Sequence, residues 1–313
     1  MKYNENNENK LTVAVVIPMY NSMNTILRAL LSLEKQTVRP TKVIIVDDGS
    51  IDESVKTVNE YITSSSLIIQ LVSQKNAGPS AARNKGISLA SEKLVCFLDA
   101  DDEWNENKLE EQLATYVQKS KSHNVGLVET FTIDSCADKK IKRDTPLLAG
   151  KHFKDFLYAN VIKGTASVMI PLEILKEFGG FDESLRYAED RLLWSQIAGK
   201  YDVFTVPKYL ATRHFGTEGN ITSSPEKYYE YKKEFITKFI NLYSDTLTEQ
   251  EKINFSLSNI YEFLTTFYTN KSYKWVVLCY RDMLSVSSTA VYYNKGYASL
   301  KALISLLKSL LKV

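Results

Sequence analysis

Four short runs of mostly β-branched apolar residues recur early in this chain of 313 residues, and polar residues follow each of them. The runs are residues 11–17, 42–46, 67–72 and 94–98. Segments with helical spacing separate them, as at Ile26, Leu30 and Leu33. Because buried strands joined by helical crossovers align in parallel, we predict an α/β protein whose mainly parallel sheet is flanked by helices.

The turn-forming residues stop near residue 225. All seven prolines lie at or before Pro225, and Gly296 is the one glycine after it. We therefore predict a sheet domain over residues 11–224 and a helical C-terminal region over residues 225–313. Residues 1–10 are rich in Asn and Glu and lack an apolar core, so we expect a disordered N-terminus and not a signal peptide.

Composition excludes several classes of protein. A net charge of +2 gives no basic surplus for nucleic acid. The three cysteines are few, odd in number and far apart, which favours a reducing compartment over a disulfide framework. No run approaches the ~18 apolar residues of a spanning helix. We expect a cytoplasmic protein, and peripheral association with the inner face of the cell membrane stays open.

The polar residues after the four strands indicate where ligands bind, because ligands of parallel α/β sheets collect at the carboxyl ends of the strands. These segments are Pro18–Asn21, Asp47–Ser50, Asn76–Gly78 and Asp99–Asp102. The chain has no GxxxxGK[ST] segment and no GxGxxG after the first strand. This absence argues against a P-loop NTPase and against a dinucleotide-binding enzyme.

Three carboxylates, Asp99, Asp101 and Asp102, repel one another unless a cation or donor hydroxyls compensate them. Mg²⁺ or Mn²⁺ suits such a group, since a hard ion takes one or two carboxylates and completes its shell with substrate phosphates. The alternative is a solvated acidic turn that caps the helix near Asn105. Asp48 is either a turn residue or a contact to a nucleotide. Arg83 is either a surface charge or a contact to a diphosphate.

Taken together, the motifs resemble the inverting family 2 glycosyltransferases of the GT-A fold. The similarity covers roughly residues 11–222, and its order and spacing are specific. The matching segments are Val15–Asn21, Val46–Ser50, Asn76–Asn84, Phe97–Asp102, Gly179–Glu183 and Glu189–Trp194. The resemblance implies transfer of one sugar from a nucleotide-sugar, taken as UDP-linked, to a hydroxyl of a glycan or lipid-linked acceptor in bacterial surface-polysaccharide synthesis.

The resemblance also implies roles for individual residues. Donor-binding residues would be Pro18, Tyr20, Asn21, Asp48, Asn76, Gly78, Arg83, Asp99 and Asp102. Among these, Asp48 would accept from the pyrimidine ring, and Asp102 would serve either the sugar or the metal shell. Asp101 would coordinate Mn²⁺ or Mg²⁺, and His214 is a candidate third ligand or phosphate contact, or else an ordinary surface histidine.

On the acceptor side, the resemblance implies that Asp190 is the general base, with Glu189 and Trp194 in contact with the acceptor. A carboxylate opposite the metal is what a single inverting displacement requires. The alternative is that the two acids merely begin a helix, where negative charge is favourable. The Gln-x-x-Arg-Trp segment of processive members is absent, which favours addition of single sugars.

The C-terminal segment 297–313 reads as a basic amphipathic helix. Three of its lysines fall on one line of a helical projection, and leucines with Ile304 fill the other side. Two interpretations stay open: contact with an anionic membrane, or docking on the protein itself. Two other functions also compete with transfer, namely an inactive sugar- or nucleotide-binding module and a sugar-phosphate nucleotidyltransferase.

Overall fold

A computed structural model of the protein describes residues 11–136, 139–215, 225–288, 290 and 301–305. The chain divides into two compact units. Unit one comprises Met1–Phe156, Asn160–Ser184 and Glu189–Glu218, and unit two comprises Leu157–Ala159, Leu185–Ala188 and Gly219–Val313. The expected disordered N-terminus at residues 1–10 lies outside the described residues.

Within its described residues, unit one contains one sheet of ten strands. The strands are β1 Val13–Met19, β2 Lys42–Asp47, β3 Ile69–Ser73, β4 Leu94–Phe97, β5 Glu103–Trp104, β6 Val125–Cys136, β7 Lys139–Arg143, β8 Ala149–Gly150, β9 Met169–Pro171 and β10 Asp202–Phe215. The order is β3-β2-β1-β4-β9-β6-β10-β5, with β7 paired to β6 and β8 paired to β10. The first four strands match the four predicted runs.

Parallel and antiparallel pairs share this sheet. Strands β1 to β4 are parallel neighbours, as the alternation of strands and helices predicts. Strand β9 then runs antiparallel between β4 and β6, whereas β6 and β10 are parallel to each other. The predicted α/β fold is confirmed, and its parallel order holds for the N-terminal half of the sheet and for the β6–β10 pair.

Six α-helices accompany the described sheet: α1 Ile26–Glu34, α2 Ser54–Ile62, α3 Pro79–Leu89, α4 Lys108–Lys119, α5 Leu172–Glu177 and α6 Glu189–Lys200. Two short 3-10 helices span Phe153–Leu157 and Thr165–Ser167. Alternate residues of β1 face opposite cores: Val15 packs in the cluster that holds Leu30 of α1, and Val16 in the cluster that holds Trp194 of α6. The sheet is therefore covered on both faces, since successive strand side chains point to opposite sides.

A carboxyl group lies buried in the core on β6. Glu129 accepts hydrogen bonds from Thr145 Oγ1 at 2.6 Å and from Thr205 Oγ1, while its Oε2 has no partner among the described atoms. Burial raises the pKa of Glu129 from 4.5 to about 7, against the two hydroxyl donors. This carboxyl group is therefore more easily protonated in the folded protein than in the unfolded chain.

We expect this carboxyl to make stability depend on pH. Below pH 4.5 it is protonated in both states, and above about 7 the folded protein must hold a buried charge. Its contribution to the unfolding free energy therefore falls by roughly 3 kcal/mol as pH rises through this interval. Urea denaturation on both sides of the interval measures the fall, and Glu129→Gln should remove most of it. Equal pH dependence in Glu129→Gln and in the exposed control Glu106→Gln would contradict this assignment.

The described part of unit two is helical and rich in aromatic side chains. Its helices are α7 Pro225–Leu242, α8 Glu249–Thr269 and α9 Tyr273–Val286. The Phe239 and Phe255 rings stack with centroids 4.2 Å apart, and Thr248 and Glu251 form a capping box that begins α8. The helical region predicted after Pro225 is thus present in these three segments.

The described part of the C-terminal segment packs within unit two. The Lys301 ammonium lies 5.4 Å from the ring centroid of Tyr261 on α8, and Ala302 and Ser305 are buried. For residues 301–305 this favours docking on the protein, although Leu303 is 56% exposed. Residues 306–313, most of the predicted apolar face, lie outside the described residues. Within the described residues no helix is long and apolar enough to cross a membrane.

Candidate active site

Backbone hydrogen bonds join the four loops at the carboxyl ends of β1 to β4. Asp48 N donates to Met19 O at 2.8 Å, Gln74 N to Asp47 O at 2.8 Å, and Leu98 N to Val16 O at 3.0 Å. Asn21 adds a further link, since its N–H donates to Ser50 Oγ at 2.9 Å. The predicted clustering of the polar segments at one edge of the sheet is confirmed.

The Asp48 carboxylate anchors one of these loops. It is 4% exposed and accepts from Gln74 Nε2, Ala77 N and Gly78 N, at 2.8 to 2.9 Å. A carboxylate has about four acceptor sites, so three are in use. The predicted hydrogen bond from a pyrimidine to Asp48 would therefore use the one acceptor position of the carboxylate that is still free. Sequence reasoning missed Gln74, which carries no motif signal.

The other predicted nucleotide contacts surround this loop. Tyr20 is half exposed, so its ring is available for stacking, and Asn76 is also exposed. Pro18 is partly buried next to the end of β1. Asn21 has a positive φ of 47° and accepts from Ile51 N at 2.9 Å through its Oδ1. Asn21 therefore shapes the loop that carries Tyr20.

The acids after β4 lie close together, with Asp102 buried. Burial, then the charges of Asp99 and Asp101, raises the pKa of Asp102 well above its ordinary value. Burial and Asp99 likewise raise the pKa of Asp101. Asp102 Oδ1 accepts from His214 N at 3.0 Å, while the His214 ring nitrogen Nε2 lies 3.1 Å from Glu103 Oε1. Glu103 thus holds the imidazole of His214, and Asp102 holds the main-chain N–H of the same residue.

This donor set suits a divalent ion that is completed by substrate. Within the described residues no group of three or more His, Cys, Asp or Glu side chains is placed to hold a metal. One or two carboxylates are the usual protein share of a Mg²⁺ or Mn²⁺ site beside phosphates. The raised pKa values of Asp101 and Asp102 mark negative charge that a cation would compensate.

Arg83 joins the acids of the donor side to those of the acceptor side. The buried guanidinium donates to Asp99 Oδ1 at 2.8 Å and to Glu189 Oε1 at 3.2 Å. Burial alone would lower the pKa of Arg83, but the charges of these carboxylates outweigh it and raise the pKa. Arg83 thus lies on helix α3 as a buried bridge and is not a surface charge. Its predicted contact to the ribose or phosphates of the donor stays a prediction.

The predicted base begins helix α6. Asp190 Oδ1 accepts from Arg191 N at 2.6 Å, and Oδ2 accepts from Asn160 Nδ2 at 3.3 Å. Burial raises the pKa of Asp190, and Arg83 is one of the groups that oppose the rise. Glu189, which precedes Asp190 in the chain, shares the Arg83 guanidinium with Asp99, so Arg83 links the two predicted sets of acids.

A second arginine, Arg213 on β10, lies beside both sets. Burial raises the pKa values of Asp102 and Asp190, and the charge of Arg213 opposes part of each rise. Arg213 Nε donates to Asp134 Oδ1 at 3.0 Å, which fixes the guanidinium. Thr165, whose hydroxyl donates to Asp99 Oδ2 at 3.1 Å, completes the donor side. Neither Arg213 nor Thr165 was among the predicted site residues.

Trp194 does not lie at the surface of the site. Its side chain is fully buried, and its ring meets Phe181 edge to face with centroids 5.6 Å apart. Phe181 in turn contacts Phe97 of β4 at 5.1 Å. The predicted contact of Trp194 with an acceptor is therefore corrected to a packing role, because helix α6 turns this position toward the sheet.

Asn84 and Gly180 clamp the acceptor-side segment to helix α3. Asn84 Nδ2 donates to Phe181 O, and Phe181 N donates to Asn84 Oδ1, both at 2.8 Å. Gly180 has a φ of +77°, and a Cβ there would lie 2.3 Å from Asn84 Oδ1. The glycine is thus required by its backbone conformation and by the close approach of the amide.

We expect Gly180→Ala to lower the unfolding free energy by roughly 2 to 4 kcal/mol, from backbone strain and disturbed Asn84 hydrogen bonds. Gly179→Ala is a matched control, since Gly179 has a φ of +74° but nothing within 4 Å of an added Cβ. In the control, the unfolding free energy should fall only by the cost of backbone strain. Equal losses in the two variants, measured by urea denaturation, would show that the clamp adds no stability.

Comparisons with known proteins agree with this arrangement. The model of Glycosyl transferase family 2 matches residues 14–171. An uncharacterized glycosyltransferase of Rickettsia felis is 30% identical over 223 residues, which cover 69% of this chain and 35% of that protein. This chain therefore matches about a third of the length of that relative.

Two further proteins extend the comparison. The Escherichia coli UDP-Glc:alpha-D-GlcNAc-diphosphoundecaprenol beta-1,3-glucosyltransferase WfgD is 26% identical over 224 residues, covering 71% of this chain and 83% of that protein. The crystal structure of S. aureus TarS 1-349 in complex with UDP-GlcNAc superimposes with a TM-score of 0.67 at 20% identity. It covers 94% of this chain and 89% of that chain, so the two share a fold.

Proposed function

The chain belongs to glycosyl transferase family 2, and on that premise we propose that it transfers one sugar, with inversion, from a UDP-sugar to an acceptor hydroxyl. The acceptor is a glycan or a lipid-linked sugar of bacterial surface-polysaccharide synthesis, and the reaction uses Mn²⁺ or Mg²⁺. The observation that carries the proposal is the Arg83 bridge, since one guanidinium pairs with Asp99 and with Glu189. It supports a single cleft for donor and acceptor.

In this proposal the loops after β1 to β3 hold the nucleotide. The exposed ring of Tyr20 stacks on the base, beside Pro18, Asn76 and the loop that Asp48 anchors. UDP is favoured because TarS is described in complex with UDP-GlcNAc and WfgD is named for UDP-Glc. The buried Arg83 Nε has no partner among the described atoms, so its N–H is available to the donor.

Asp101 and Asp102 are the proposed metal carboxylates, with Asp99 directed to the donor sugar. When bound, the metal ion offsets the negative charge that builds on the departing diphosphate. Arg213 adds a fixed positive charge between Asp102 and Asp190. His214 is proposed as a phosphate contact or metal ligand through Nδ1, since its Nε2 lies 3.1 Å from Glu103 Oε1 and a ligating histidine commonly keeps its other ring nitrogen on a carboxylate.

Asp190 is the proposed general base. Its carboxylate takes the proton of the acceptor hydroxyl while that oxygen bonds to the anomeric carbon. The bond from this carbon to the diphosphate oxygen breaks, and UDP leaves with the electron pair. A raised pKa makes a carboxylate a stronger base near neutral pH. Asn160 supports this role, because its amide donates to Asp190 while its Oδ1 lacks a described partner for an acceptor hydroxyl to use.

We place the reaction on the cytoplasmic side of the cell, near the membrane. Support comes from WfgD, whose name gives a diphosphoundecaprenol-linked acceptor. Lipid carriers of this kind hold the acceptor sugar at a membrane surface. Contact of the segment 297–313 with that surface stays a prediction. Because Ala302 and Ser305 pack within unit two, exposed side chains such as Leu303 would make the contact.

Product analysis with a panel of UDP-sugars tests the function. We expect Mn²⁺-dependent release of UDP, and thermal stabilisation by the UDP-sugar that is used, because a ligand of the folded state raises its stability. Asp101→Asn should lose the Mn²⁺ dependence of both signals. Binding without turnover would favour the inactive module, whereas formation of UTP from UDP-sugar and pyrophosphate would favour the nucleotidyltransferase.

A further inference from the structure

Strand β7 presents an unusual density of exposed positive charge. Its sequence is Lys-Lys-Ile-Lys-Arg, and all five residues are exposed. Strand β7 pairs with the far end of β6, where Cys136 lies opposite Lys139 and Thr132 lies opposite Arg143. Successive side chains of an extended strand point to opposite faces, so Lys140 and Lys142 lie on one face of β7 and Lys139, Ile141 and Arg143 on the other. This strand at the margin of the sheet therefore carries a row of cations that alternates between two exposed faces.

The described acid on the paired segment of β6 does not neutralise this row. Asp134 on β6 accepts from Arg143 Nε at 2.6 Å and also from Arg213, so two cations already share its charge. No described carboxylate forms a salt bridge with Lys139, Lys140 or Lys142. Lys139 and Lys140 are therefore available for an external anion. The Lys142 ammonium lies 4.7 Å from the ring centroid of Tyr209, a contact that leaves its positive charge without a described carboxylate partner.

Apolar residues accompany the cations. Ile141 lies at the centre of β7 and is 46% exposed, and Leu147 is 66% exposed a few residues later. A polybasic segment with exposed apolar side chains suits the surface of an anionic membrane, where cations meet headgroups and apolar groups enter the interface. A binder of nucleic acid would be expected to carry a larger basic surplus than the +2 of this chain.

The row lies next to the candidate active site. In the sheet, Asp134 pairs with Ile141 of β7 on one side and with Arg213 of β10 on the other. A surface bound by β7 is therefore two strands from Arg213. That separation is about 10 Å, given a spacing of about 5 Å between neighbouring strands.

We propose that Lys139, Lys140, Ile141 and Lys142 form a docking strand for anionic phospholipid, separate from the C-terminal segment. The purpose of such docking rests on the proposed function, because docking here would bring the candidate active site close to a membrane that carries lipid-linked acceptors. Binding of the strand to lipid does not itself require catalysis.

Vesicle sedimentation of the full chain tests the proposal. The parent should bind vesicles of equal parts phosphatidylglycerol and phosphatidylcholine, release them at high salt, and ignore pure phosphatidylcholine. The triple variant Lys139→Gln, Lys140→Gln, Lys142→Gln should bind the anionic vesicles at least tenfold more weakly, since each cation near such a surface contributes about fivefold. Its unfolding midpoint should stay near that of the parent.

A matched control carries Gln at three exposed lysines elsewhere in unit one, Lys35, Lys121 and Lys176. It has the same net charge as the test variant and should bind like the parent. Equal loss in both triple variants, or no loss in the test variant, would overturn the docking strand. Competition by inorganic pyrophosphate at constant ionic strength would also overturn it, in favour of a discrete phosphate site.

Release of UDP from a UDP-sugar without vesicles measures the proposed function separately. A parent that turns over donor but does not bind anionic vesicles would leave the transferase proposal intact and overturn the docking strand. A parent that binds vesicles through β7 but does not turn over the donor would support the docking strand and overturn the transferase proposal.

Discussion

Asp190→Asn should lower the turnover number for sugar transfer by a factor of roughly 10² to 10⁴, the contribution that a positioned acid or base makes. The amide keeps the size of the side chain, and its carbonyl oxygen can still accept from Asn160 or from Arg191 N. What it loses is the ability to take a proton from the acceptor hydroxyl. Steady-state transfer kinetics with a saturating UDP-sugar measure the effect.

Binding of the donor separates loss of chemistry from loss of the site. Calorimetric titration with UDP should give nearly the same affinity for Asp190→Asn as for the parent, because this carboxylate is assigned to the acceptor. The exposed residue Glu60 provides a control, and Glu60→Gln should transfer sugar at the parental rate. Near-parental turnover in Asp190→Asn would remove the general base from the proposal.

The largest effect on stability is expected for Arg83→Met, which should lower the unfolding free energy by roughly 3 to 5 kcal/mol. Met keeps much of the buried volume but leaves Asp99 and Glu189 without the cation between them. Two carboxylates in a poorly hydrated site then repel each other and lose charge-assisted hydrogen bonds. Urea denaturation measures the loss, and Arg39→Met, at an exposed arginine, is the control.

A double-mutant cycle tests whether the bridge causes this loss. Glu189→Gln removes one of the two negative charges, so the pair Arg83→Met, Glu189→Gln should recover part of the stability that Arg83→Met loses. Coupling energies of 0.5 to 3 kcal/mol are usual for residues in direct contact, roughly the range expected here. Additive losses from the two substitutions would mean that Arg83 stabilises the fold through packing alone, for example through the Phe181 ring 5.3 Å away.

The sequence predicts strands β1 to β4 well because each is a short, mostly apolar run followed by polar residues, a pattern typical of strands in a covered parallel sheet. It does not predict the antiparallel position of β9 between β4 and β6. Strand β9 is three residues long, and its partners lie far away along the chain. Periodicity reports which face of an element is buried, but it carries no information about distant pairing.

The same distinction applies to the site. The acids at 99 to 102 and at 189 to 190 stand out because charged residues directly follow apolar runs or begin a helix. Arg83 was named as a donor-side residue, but its bridge to Glu189 was not predicted, because that bridge depends on how α3 and α6 approach each other. Asn160 and Thr165 are ordinary polar residues in irregular segments, and only the folded chain reveals that their side chains contact Asp190 and Asp99.

The margin of the sheet has a consequence for self-association. Strand β5 has two residues, and β7 carries four cations in five positions. Short strands and lysines discourage a neighbouring molecule from adding its own strand by main-chain hydrogen bonds. The lysines of β7 therefore also help to keep copies of the protein apart, because two β7 strands that approached each other edge to edge would bring like charges together.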